Sequence, residues 1–177
     1  MDTPTTNSAF LQGQGDVAVL TGVPSFAEDK SAFVKVSSGP MAQTGLICNV
    51  MTTKDAIAEK SDDITAFMKA YFRAVEWIKD NRDEAKDMLL TFCDVSGKST
   101  TPEVAELFIH AETYYTLAEN YEMMNTKAEG SDVSIMEQGL TDILKFFIAS
   151  NNYSKGDDEI FKGHCDPQFV NAIYKGK

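Results

Sequence analysis

The chain has 177 residues, 43% of them apolar, enough for one compact unit to bury a core, since a domain of about 150 residues hides about 70% of its unfolded surface. Its 27 acidic against 16 basic residues give a formal charge of −11, which repels phosphate backbones and anionic lipid head groups and argues against nucleic acid as a partner. No run approaches the ~20 apolar residues that span a bilayer, and the opening MDTPTTNSAF lacks the basic and apolar regions of a signal peptide, so neither membrane insertion nor an export address is expected in this segment.

In chain order, residues 2–12 read as a short amphipathic helix left through Gly13. Asp16 to Leu20 is β-branched and bounded by glycines, which predicts a short buried strand, and Gly22 and Pro24 break it. Phe33 to Val36 and Leu46 to Met51 read as two further strands around the turn Ser37-Ser38-Gly39-Pro40. From Ser61 the period becomes helical. Ile64, Phe67, Met68, Tyr71, Phe72, Val75 and Ile78 fall on one stripe, predicting a helix to Lys79 that buries Phe67, Tyr71, Phe72 and Val75 together.

Asn81, with Glu84 three residues on, has capping-box spacing and opens the next helix. Thr101-Pro102 starts another, whose stripe of Val104, Leu107, Phe108 and Ala111 runs on to Tyr114-Tyr115. A fourth main helix is expected over 132–150, and Asp166-Pro167 opens a short terminal one with Phe169, Val170 and Ile173 inward. Residues 125–132 and 155–159 read as polar loops.

Chemistry-bearing motifs are sparse. There is no Gly-x-Ser-x-Gly elbow, no Walker phosphate loop and no Gly-x-Gly-x-x-Gly fingerprint. Cys48, Cys93 and Cys165 are too few and too dispersed for a disulfide framework or a zinc site, and Cys48 reads as a small buried hydrophobe, although a single disulfide is compatible with an oxidising compartment. The cluster His164-Cys165-Asp166 lacks the ligand number of a metal centre, and Asp166 already has work as a helix cap. His110, in mid-helix, reads as a buried or half-buried packing residue, and the aromatics Phe67, Tyr71, Phe72 and Trp77 read as core. No catalytic residue, metal or cofactor is expected.

The candidate binding segment is the turn Thr21-Gly22-Val23-Pro24-Ser25. Ligands collect outside the carboxyl ends of strands in open α/β sheets, and Thr21 and Ser25 supply hydroxyls beside backbone donors. Five phrases, Gly13 to Leu20, Pro24, Gly45 to Met51, Phe67 to Trp77 and Asn81 to Ala85, occur in an order that resembles the later half of the nitrate/sulfonate/taurine and thiamine-precursor binding proteins of ABC importers.

That resemblance implies an α/β, type II periplasmic-binding-protein-like fold, represented here by its C-terminal portion, short strands followed by about five helices. Residues 1–51 would be the strand-and-turn segment at the cleft between lobes, and 52–177 the C-terminal helical part of the first lobe, together one compact unit. It implies a non-enzymatic binder of a small organic or anionic solute that closes its lobes over the ligand through Thr21, Gly22, Pro24 and Ser25 and delivers it to a membrane permease. The full-length parent would be periplasmic or tethered outside the cell. Thr21 and Gly22 occupy places where the resembled proteins often carry an aromatic and an acidic residue. Two alternatives stand beside this reading, a stand-alone helical protein-interaction module and an enzyme relative of the thiamine-pyrimidine synthases, whose cysteine-rich motif and reactive histidine are not evident here.

Overall fold

The computed structural model describes residues 9–10, 12–18, 34, 36, 49–97, 100–111, 113–154, 156 and 163–176. Among them stand six helices, α1 (Lys54–Asp80), α2 (Arg82–Val95), α3 (Pro102–Ala111), α4 (Leu117–Asn125), α5 (Ile135–Ala149) and α6 (Gln168–Lys175). No strand or sheet is found among the described residues, and the one β-type pairing is an isolated antiparallel bridge between Lys127 and Ser134. The expected α/β periplasmic-binding architecture is therefore corrected to a helical one. Asp16, Val17 and Ala18, Val34 and Val36, and Asn49 to Met51 all lie outside regular structure, with the valines and Met51 exposed. The remaining residues of those three expected strands lie outside the described residues.

Local chemistry explains where each helix starts. Thr53 Oγ1 accepts from Ala56 N at 3.1 Å and opens α1 eight residues before the expected Ser61. The signal at Ser61 was nonetheless real, because the preceding Lys60 leaves helical geometry at φ −133°, ψ 30°. Asn81 precedes α2 without a side-chain capping bond, so the expected capping box does not close there. Thr101 does cap α3, accepting from Val104 N at 3.3 Å. A full capping box opens α4 instead: Thr116 Oγ1 accepts from Glu119 N at 3.3 Å while the Glu119 carboxylate accepts from Thr116 N at 2.7 Å. Ser134 caps α5 and the Asp166 carboxylate caps the start of α6.

The chain divides into two compact units, and the division falls within α1, between Trp77 and Ile78. In the first, residues 1–45 and 78–113, α2 packs on α3, and the buried positions are Ala85 on α2 with Val104, Ala105 and Ile109 on α3. Small buried side chains such as Ala85 and Ala105 allow helix backbones to approach closely. In the second unit, residues 46–77 and 114–177, Phe72 of α1, Leu117 of α4 and Val170 and Ile173 of α6 form the core, edged by Met68, Tyr121 and Met124. Tyr121 and Tyr174 stack across α4 and α6 at 4.0 Å between ring centroids, and Asn125 Nδ2 donates to Asn171 Oδ1 at 2.8 Å beside them. Gly130, at φ +69°, makes the tight turn that returns the chain from Lys127 to Ser134.

The α1 stripe is narrower than its periodicity implies. Phe72 and Val75 keep 3% and 2% of their surface exposed, but Phe67 keeps 56%, Tyr71 40% and Trp77 39%, so the expected joint burial of four residues and the core role of the aromatics hold only for part of the stripe. Helical spacing alone identifies a face; the width of the buried arc depends on what packs against it. Phe72→Ala should therefore cost about 3–5 kcal/mol, as for other buried aromatic truncations, while Phe67→Ala stays within about 0.5 kcal/mol, as for surface sites. Urea unfolding followed by the far-ultraviolet helical signal measures both, and equal costs at the two positions would contradict the assignment of Phe72 to the core.

Candidate functional site

The turn Thr21, Gly22, Pro24 and Ser25 lies outside the described residues, as does Cys48. The sheet whose strand ends were to collect a ligand beside that turn is not found among the described residues.

The His164-Cys165-Asp166 segment is built as an entry to α6. Gly163 N donates to Glu137 Oε1 of α5 at 3.3 Å, and the Asp166 carboxylate accepts from Gln168 N at 2.9 Å and from Gln168 Nε2. Partial burial, and then the nearby Glu137 carboxylate, push the Cys165 thiol above its ordinary value of 9.0. An activated nucleophile needs the opposite, a thiolate favoured by positive surroundings. Among the described residues no group of three or more His, Cys, Asp and Glu side chains is placed to hold a metal ion. No helix of the described residues is long and apolar enough to cross a membrane.

The α2–α3 pair carries the most organised surface chemistry. Lys86 Nζ of α2 lies 3.1 Å from Glu106 Oε2 of α3, and His110 Nε2 lies 2.8 Å from Glu106 Oε1, so one carboxylate joins two bases. His110 is therefore an exposed residue in contact with Glu106 and not the packing residue expected. Arg82, one turn before Lys86, donates a guanidinium N–H to the carbonyl of Ile109 at the end of α3. Both cations of α2 are thus spent on the α3 side. Around the outer side of α2, Met88, Phe92 and Val95, spaced i, i+4 and i+7, keep 62%, 59% and 82% of their surface exposed. The sequence pattern does not single out this surface. The run MLLTFCDV offered apolar residues all round the helix, and only the position of α3 separates the covered ones from the rest.

No family model, no curated protein and no solved structure matches the chain. The resemblance to importer-associated solute-binding proteins thus has the quoted phrases as its whole support.

The clasp has a pH signature. The hydrogen bond from Lys86 holds Glu106 below the ordinary carboxylate value of 4.5, and the same bond, with the Glu106 charge, raises Lys86 above 10.5. A depressed carboxyl contributes stability above its unfolded value and loses it as pH falls through the folded one; a raised lysine contributes below 10.5 and loses it above its folded value. Glu106→Gln should accordingly lower the urea midpoint at neutral pH, with the gap to the parent protein closing as pH falls below about 4.5. A gap unchanged between neutral and strongly acid pH would show that the ion pair contributes nothing.

Proposed function

We propose that the chain is a helical protein-interaction module, which binds a partner protein through an exposed helix face and performs no covalent chemistry of its own. The observation that carries this reading is the pair Met88 and Val95, seven residues apart on one side of α2 and 62% and 82% exposed. Scattered exposed hydrophobes need no explanation, but aligned ones at helical spacing form the ridge that grooves and amphipathic helices dock upon. The Cys165 thiol, held protonated more firmly by its burial, and His110, engaged with the Glu106 carboxylate, give an enzymatic reading little to work with. Capture of a small solute by lobe closure rests on the sequence resemblance and on residues 21–25, with no strand-end cleft beside it among the described residues.

Calorimetric titration distinguishes the readings. The full chain is titrated with amphipathic helical peptides of differing charge and, separately, with nitrate and taurine. At least one peptide should saturate, and the double variant Met88→Ser, Val95→Ser should weaken it roughly tenfold, the worth of burying one or two such side chains. Tight saturable binding of either small anion, with all peptides inert, would overturn the proposal in favour of solute capture.

A further inference from the structure

We infer that Met68 and Met124 form an oxidisable edge on the core of the second unit, a modification site at which conversion to methionine sulfoxide loosens the contact of α1, α4 and α6. Met68, Phe72 and Val75 follow one another at i, i+4 and i+7 on α1, and Leu117, Tyr121 and Met124 repeat that spacing on α4. Both thioethers therefore lie on the packed faces of their helices, and both rest against the cluster of Phe72, Leu117, Val170 and Ile173. Each is half-buried. A fully buried sulfur is shielded from oxidants in solution, and a fully exposed one is oxidised without disturbing any packing, which is the expectation for Met51 and Met88, at 88% and 62% exposure. A half-buried sulfur at the edge of a core is both reachable and coupled to that core.

The co-reactant is a two-electron oxidant of the peroxide or hypochlorous acid class. With hydrogen peroxide, one oxygen bonds to sulfur as the O–O bond breaks, the sulfide loses two electrons to become a sulfoxide, and water leaves. The product sets a strong acceptor dipole where a soft apolar atom was packed, and an acceptor without a donor is costly in an apolar contact. The cluster has few other side chains to absorb that change. The first unit differs: its buried positions are Ala85, Val104, Ala105 and Ile109, and its described methionine, Met88, is exposed. Among the thiols, burial pushes the Cys165 group up, which lowers its share of the reactive thiolate and slows attack on peroxide there.

The test treats the full chain with hydrogen peroxide, then with dithiothreitol to return disulfides and sulfenic acids to thiols, and locates the sulfoxides by peptide mass spectrometry. Sulfoxides at Met68 and Met124 should lower the urea midpoint by roughly 1 M, the effect of one or two acceptors left unmatched in a small domain. Amide hydrogen exchange should speed over α4 and α6 more than over α2 and α3. The two stereospecific methionine sulfoxide reductases, added together, should restore the midpoint. The double variant Met68→Leu, Met124→Leu nearly conserves volume and should lose most of the peroxide shift, while the control Met51→Leu, Met88→Leu should keep all of it. Every variant carries the same cysteines, so thiol oxidation cancels in the comparison. Should the first double variant lose its helical signal, the single variants Met68→Leu and Met124→Leu each should keep only part of the shift. Sulfoxides at both positions with an unchanged midpoint would overturn the inference. So would a full shift persisting without either thioether, or Met51 and Met88 fully converted while Met68 and Met124 stay reduced until urea unfolds the chain.

Discussion

The packing of α2 on α3 decides which faces of the first unit remain for anything else. Ala85, Val104, Ala105 and Ile109 are its buried positions. Arg82 and Lys86 then find their partners on α3, at Ile109 and Glu106. The Lys86–Glu106 pair is not a large source of stability, because ion pairs near the surface contribute little in water. The consequence of both contacts is positional: the positive charge of α2 is held on one side, and the other side is left apolar and acidic. The helix pair thus has a packed face and an exposed one.

The second unit obeys a different constraint. Three of its helices, α1, α4 and α6, meet through a small set of side chains, Phe72, Leu117, Val170 and Ile173, and the stack of Tyr121 on Tyr174 extends that contact outward. A core so small tolerates little truncation, since a cavity there has few neighbours able to relax into it. The isolated bridge at Lys127 and Ser134 and the cap of α5 at Ser134 share one residue, so the turn through Gly130 both reverses the chain and starts the next helix.

Helix starts were readable wherever a short side chain or proline fixes the first turn. Thr101-Pro102 and Asp166-Pro167 mark α3 and α6 in both sequence and structure. The pair Thr116 and Glu119 carried the same kind of signal and was passed over, because the run from Phe108 to Tyr115 reads as one continuous apolar helix. Strands were misjudged for a physical reason. Valines at 17, 34, 36 and 50 favour extended backbone only where neighbouring strands supply a ladder and a packing surface, and β propensity without those neighbours is weak. The surface on α2 was illegible for the converse reason: Met88, Leu89, Leu90, Phe92, Cys93 and Val95 are all apolar, and only tertiary packing tells inner from outer.

The claim that the outer face of α2 is the working surface is tested most directly by amide chemical-shift mapping of the isotope-labelled full chain as an amphipathic helical peptide is added. The account predicts that the largest shifts cluster over residues 84–95 and that α4 and α6 remain unmoved. Shifts concentrated in α4, α5 or α6, with α2 unaffected at saturation, would contradict it.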